Sequence, residues 1–312
     1  MKKILLFEMK SIYRDSMKVY GYLFGADDLK SCDKTIAVVS GMRGNEFTQI
    51  YEASQLVRQL KWIEADGRIT AGKSILVIPS VNPYSINAEK RFWPADNTDL
   101  NRMFPGYDLG ETTQRAAAAL FNIVEEFTYG IHLTSHYISG NFVPHVSIQN
   151  TGRDYAETAR AFGLKYVRLR KPTHYDTTTL NYNWQIWDTW AYSIYGGDDK
   201  NVDRDVATTV VYSILNFMNS NGIISFDHHR GYLSSIITEE DMYVVKTDRA
   251  GFFNCKVRVG DMVHRGQRLA EIADAGDGHV IEEITAPCDG TVFFIQSNPL
   301  AFAKGQLMIL VK

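Results

Sequence analysis

An α/β fold, in which a mixed sheet flanked by helices is followed by a smaller all-β unit, is predicted by three features of the 312-residue sequence. Over the first two-thirds, short apolar runs alternate with segments whose apolar residues recur every three or four positions. From about residue 234 this gives way to short strand-like runs separated by Gly, Asp and Pro. One apolar run ends in a glycine-flanked turn that opens a helix, and open α/β sheets bind ligands at that kind of join.

Residues 35–39 read as a buried strand and 46–64 as a helix, because Ile50, Ala53, Leu56, Val57 and Leu60 fall on one helical face. Residues 74–79 form a second buried strand and 112–127 a second helix. Short β-rich runs follow at 166–169 and 191–195, and 206–219 is an amphipathic helix. This alternation calls for a parallel or mixed sheet with helices on both faces. Beyond residue 234, the runs 256–263, 266–272 and 284–292 make a compact β unit that resembles the barrel-sandwich fold of biotin and lipoyl carrier domains. Carriers present a modified lysine on a central hairpin, and residues 274–283 contain none, so a structural cap is expected instead.

Composition narrows the function classes. Hydrophobic residues at 45% and charged residues at 22% match a folded globular chain. A net charge of -3 with mixed signs gives no basic field for nucleic acid. No apolar run reaches the roughly 20 residues of a bilayer span, and the N-terminus lacks the apolar stretch of a signal peptide. Cys32, Cys255 and Cys288 are odd in number and widely spaced, as free thiols in a reducing cytoplasm would be. The oligomeric state is left open.

Two strings carry chemistry. Ser40-Gly41-Met42-Arg43-Gly44-Asn45-Glu46 follows the first buried strand, and Arg91 with Asp99-Leu100-Asn101-Arg102-Met103-Phe104-Pro105-Gly106 follows the second. An arginine beside an asparagine can fork onto a carboxylate, while the alternative for such a loop is a local pair with Asp96 or Asp99. Together these strings resemble the succinylglutamate desuccinylase and aspartoacylase family of zinc-dependent deacylases. There the first string reads Gly-x-His-Gly-Asn-Glu, and its His and Glu hold zinc.

The resemblance implies a carboxypeptidase-like α/β domain over residues 1–233 and a C-terminal barrel-sandwich-like β domain over 234–312. It implies that Glu46 and His132 ligate zinc, that Arg91 stabilises the oxyanion, and that Asn101 and Arg102 grip the substrate carboxylate. This chain departs from the pattern at Arg43, in place of the first zinc-ligand histidine, and at Gly130, where the family has an acid. It departs again at the general base, a glutamate whose place falls on Ile194 or Tyr195 according to register. Asp198 and Asp199 are substitutes for that base or simple turn residues. A catalytic zinc normally takes three protein ligands, and a guanidinium repels the ion. His136 lies about 13 Å from His132 in an extended strand, too far to complete the set; His145 and His174 are further candidates.

Two functions follow as expectations. One is metal-dependent cleavage of the amide bond of an N-acyl amino acid or related small carboxylate. The other is a metal-free member of the same fold that holds a small anion in an Arg-rich pocket, with Arg43 as a binding residue.

Overall fold

The computed structural model describes residues 1–312 apart from 12, 14, 153, 154, 200 and 228–230. Its strands in the first part are β1 (Lys2–Met9), β2 (Met17–Phe24), β3 (Ile36–Val39), β4 (Ile75–Ile78), β5 (Tyr129–Leu133), β6 (Gly140–Gln149), β7 (Tyr166–Arg170) and β8 (Trp190–Gly197). The helices are α1 (Phe47–Ala65), α2 (Pro83–Asn87), α3 (Thr112–Val124), α4 (Ala156–Ala159), α5 (Leu180–Ile186) and α6 (Arg204–Ser220). The later strands are β9 (Ser235–Ile237), β10 (Met242–Lys246), β11 (Gly251–Cys255), β12 (Met262–Val263), β13 (Arg268–Ala273), β14 (Val280–Thr285), β15 (Gly290–Gln296), β16 (Leu300–Ala301) and β17 (Gln306–Val311).

One 13-stranded sheet runs in the order β1-β2-β4-β3-β5-β8-β6-β15-β17-β10, with β7 and β12 joined at its sides and β9 joined to β7. A four-stranded sheet, β14-β13-β11-β16, completes the C-terminal part. The centre is parallel: β3 pairs with β4 and β5, and β5 with β8. The C-terminal strands join it through β15, where Phe294 lies opposite Phe142 of β6. This is the mixed α/β architecture that the sequence predicts, with a second antiparallel sheet. No described helix is long and apolar enough to cross a membrane.

Strands β3 and β4 are apolar at every position because both faces of the sheet are covered. Ile36, Val38, Ile131, Leu133, Tyr192 and Ile194 pack on the α1 and α6 side. Ala37, Val39, Ala191 and Trp184 pack with α3 and α5 on the other. Burying each of the large apolar side chains contributes roughly 1.5–3 kcal/mol. The two layers fix which residues face the site. His132 pairs with Val39 and Ser193, on the face opposite Ile131 and Ile194.

Candidate active site

The loops that follow β3 and β4 at the carboxyl end of the sheet are laced together by backbone. Val81 N–H donates to the Ser40 carbonyl and Asn82 N–H to the Gly41 carbonyl, while Asn82 Nδ2 donates to the Met42 carbonyl. Gly44 N–H donates to the Lys90 carbonyl. A Cβ on Gly44 would lie 2.1 Å from the Ser85 carbonyl carbon, so only glycine permits this approach. Gly41, at φ +65, makes the turn itself. These contacts bring Arg43 and Glu46 beside the loop that carries Arg91 and Asp99.

Arg43 is 4% exposed. Its Nε donates to both oxygens of Asp99 (3.1 and 3.2 Å), and Nη2 donates to Asp99 Oδ2 at 2.8 Å. Nη1 reaches Glu46 Oε1 at 3.4 Å, Thr134 Oγ1 at 3.4 Å and the Ser135 carbonyl at 3.1 Å. Burial disfavours its charge, but the carboxylates of Asp99 and Glu46 and the hydrogen bonds to Asp99 outweigh that, so its pKa is raised. Burial would likewise raise the Asp99 pKa, yet Arg43 holds it below the ordinary carboxylate range.

Glu46 is fully buried. Its Oε1 accepts from Ser135 N–H (3.0 Å), Ser135 Oγ (3.0 Å) and Thr134 Oγ1 (3.3 Å) as well as Arg43, and its Oε2 accepts from Arg43 N–H at 3.2 Å. His132, 1% exposed, lies within electrostatic reach of Glu46, Arg43 and Asp99. Burial, aided by Arg43, pushes its pKa down to about 4, so it is neutral at neutral pH. Its Nε2 has no partner among the described residues.

Residues 32–183 match the family described as the succinylglutamate desuccinylase/aspartoacylase catalytic domain. Over these residues the chain is similar to the succinylglutamate desuccinylase/aspartoacylase family. It is 23% identical over 257 residues, 77% of this chain and 70% of the relative, to an N-alpha-acetyl-L-2,4-diaminobutyric acid deacetylase of Halomonas elongata. Its fold is similar to that of a succinylglutamate desuccinylase/aspartoacylase from Rhodobacter sphaeroides (TM-score 0.77, 19% identity, 96% of this chain and 90% of that one). An aspartoacylase family protein from Mesorhizobium loti gives TM-score 0.79 at 19% identity, covering 99% and 93%.

The residues present do not fit the zinc ion that the likeness to the desuccinylase/aspartoacylase family implies. The Arg43 guanidinium is bound to Glu46, and the oxygens of Glu46 already accept from five protein donors. Glu46 and His132 have, among the described residues, no third carboxylate, imidazole or thiolate within common ligand reach. Among the described residues the one such group is Asp274, Asp277 and His279, in the turn between β13 and β14. His136 accepts from Ile138 N–H and packs on Phe142 and Phe294; His145 is buried against Tyr195 and Phe293; His174 is exposed. At Gly130 a Cβ would lie 2.7 Å from the Trp184 ring, so the family's acid has no room beside His132.

Neither residue at the expected general-base place is a carboxylate, and the two face opposite ways. Ile194 belongs to the apolar layer under α1 and α6, and Tyr195 faces the cavity. Asp198 and Asp199 serve the turn: the Asp199 carbonyl accepts from Phe47 and Thr48 N–H at the start of α1, and the Asp198 carbonyl accepts from Thr48 Oγ1. The Asp199 side chain accepts from Asn45 Nδ2 and Ser139 Oγ, and burial raises its pKa.

A cavity of about 100 Å³ opens beside this centre. Arg43, Asn101, Arg102 and His132 line it; Glu46 lies behind them and Arg91 does not line it. Arg91 instead donates to the His136 carbonyl at 2.9 Å and stands 4.0 Å from Asp199 Oδ2. Burial and Arg43 lower its pKa. Asn101 Oδ1 accepts from Leu180 N–H, and Arg102 donates to the Tyr175 carbonyl.

Sequence reading missed Arg170, Asp176, Gln149 and Asn181, which also line the cavity. Arg168 and Arg170, two charges on one face of a strand, were the available signal for the first. Arg170 donates to Asp176 at 2.5 Å, which Arg102 approaches at 3.9 Å. The strongly cationic pocket expected from the number of arginines is thereby corrected. Glu46 and Asp99 neutralise Arg43, and Asp176 offsets Arg102 and Arg170.

Proposed function

We propose that this chain holds a small, carboxylate-bearing molecule of the acylated amino acid class in the cavity, with Arg43 as a fixed cation in place of a metal. The observation that carries the reading is the guanidinium of Arg43, held between Glu46 and Asp99 by hydrogen bonds from every nitrogen. Asn101, Arg102 and Arg170 supply the grip on the carboxylate. Among the described residues, the guanidinium groups of Arg102 and Arg170 keep N–H donors beyond those already used. The deacetylase of Halomonas elongata, whose name specifies an acetylated amino acid, supports the ligand class.

Isothermal titration with N-acetylated amino acids in metal-free buffer tests this reading. Saturable binding that Arg102→Ala and Arg170→Ala each weaken at least about tenfold is expected, since a charge-assisted hydrogen bond contributes about 1.5–3 kcal/mol. Absence of saturable binding to the folded protein would remove it.

A second reading, zinc-dependent amide hydrolysis with Glu46 and His132 as ligands and Arg91 on the oxyanion, is favoured by the free Nε2 of His132 beside Glu46. It requires Arg43 to leave Glu46 and a third ligand to arrive. Release of acetate from an N-acetyl amino acid on adding zinc, lost in Glu46→Gln, would establish it over the first.

A further inference from the structure

The cavity wall also carries polar atoms that no described residue satisfies. Asn181, 3% exposed, has both Oδ1 and Nδ2 without a partner, and Gln149, 7% exposed, has Oε1 without one. The orientation of Gln149 follows from its neighbour. The Thr179 hydroxyl donates to the Asp176 carbonyl at 2.7 Å, so towards Gln149 it can only accept, and Gln149 Nε2 is the atom that donates to it at 3.5 Å. Oxygen Oε1 is therefore the free end. Asn181 offers one donor and one acceptor whichever way its amide is turned. In the sheet Gln149 is the register partner of Arg170, and both side chains line the cavity.

Buried polar atoms of this kind cost free energy unless something meets them. Two acceptor oxygens and one amide NH2 group, in a cavity that Arg102 and Arg170 also line, ask for a ligand with an anionic group and N–H donors close to it. A carboxamide meets that demand: its two N–H groups suit Gln149 Oε1 and Asn181 Oδ1, and its carbonyl suits Asn181 Nδ2. A second carboxylate there would set its lone pairs against two amide oxygens. Resting on the reading of this cavity as the ligand site, we infer that Gln149 and Asn181 select a monocarboxylate bearing a neutral carboxamide over the corresponding dicarboxylate. The two side chains are specificity-determining, and they discriminate by hydrogen-bond polarity instead of charge.

The test compares matched pairs by isothermal titration on the wild-type protein: succinamate against succinate, and glutaramate against glutarate. The monoamide of at least one pair is expected to bind at least about tenfold tighter, the equivalent of one or two hydrogen bonds. Gln149→Leu is expected to bring the ratio towards unity, because it removes an acceptor for the monoamide's N–H and the oxygen that repels the diacid. Because the ratio is measured on the wild-type chain, it stands even if that variant fails to fold. Diacids that bind as tightly as their monoamides overturn this inference alone, as they would if water merely fills the wall. Failure of both members of both pairs to bind overturns it together with the reading of the site.

Discussion

Replacing Arg43 by methionine keeps most of the side chain's volume and removes the cation between Glu46 and Asp99. Breaking a buried ion pair from one side typically costs about 3–5 kcal/mol, because the remaining charge stays buried without its partner. The low end applies here. Glu46 retains its bonds from Ser135 and Thr134, and the Asp99 side chain is 16% exposed and can recruit water. At about 2.1 cal/mol/K per residue, unfolding 312 residues carries roughly 0.65 kcal/mol/K, so a loss of about 3 kcal/mol lowers Tm by about 5 °C. Thermal unfolding of wild type, Arg43→Met, Glu46→Gln and the double variant measures it, and coupling makes the double loss smaller than the sum of the single losses. The Asp99 pKa is depressed in the fold, so its share of the stabilisation is present above its ordinary value of 3.8 and is lost as pH falls through the folded value. The gap between wild type and Arg43→Met therefore narrows in acid. A loss below about 1 kcal/mol, or strictly additive variants, would refute the clamp.

Three further perturbations follow from buried groups. Burial holds His145 down to about 3, so folding loses stability as pH falls below 6.5; His145→Phe is expected to remove about 2 kcal/mol of that loss at pH 5, read from denaturant midpoints at pH 7 and 5. Burial raises the Glu52 pKa well above 4.5, so its folded form is favoured below that value and is increasingly penalised above it; Glu52→Gln is expected to gain stability over wild type as pH rises, by about 1.4 kcal/mol per unit up to the folded pKa. Restoring the family's acid by Gly130→Asp drives a side chain into Trp184, and a loss of at least about 1–3 kcal/mol in chemical denaturation is expected.

Much of the central sheet was legible because its signals are local. The apolar runs at 35–39 and 74–79 became Ile36–Val39 and Ile75–Ile78, and the helix expected over 46–64 is Phe47–Ala65. Strand β6 was not legible, since Pro144 breaks its pattern; in the fold that proline falls at the irregularity between Phe142 and His145, where a missing N–H is tolerated. The hairpin of β1 and β2 was also missed, its first strand being largely exposed or half-buried and its apolar alternation faint. At the site, the two motif strings, with the His132 that the resemblance added, named residues that do converge: Arg43, Asn101, Arg102 and His132 around the cavity, with Glu46 behind them. What no string revealed was where each guanidinium spends its donors. Asp99 lies 56 residues from Arg43, and Asp176 is brought to Arg102 only by the 3-10 turn at His174–Thr178. Asn181 and Gln149 gave no signal, because an amide shows its importance only when its neighbours leave it unpaired.

Zinc titration of the wild-type protein and of Arg43→His, followed by calorimetry, tests most directly whether a guanidinium has replaced the metal. With the guanidinium in the metal's place, no saturable zinc binding at Glu46 is expected in wild type, and binding is expected to be acquired in Arg43→His, which offers Glu46 and His132 a third ligand. Stoichiometric zinc on the wild-type chain, abolished by Glu46→Gln, would contradict it.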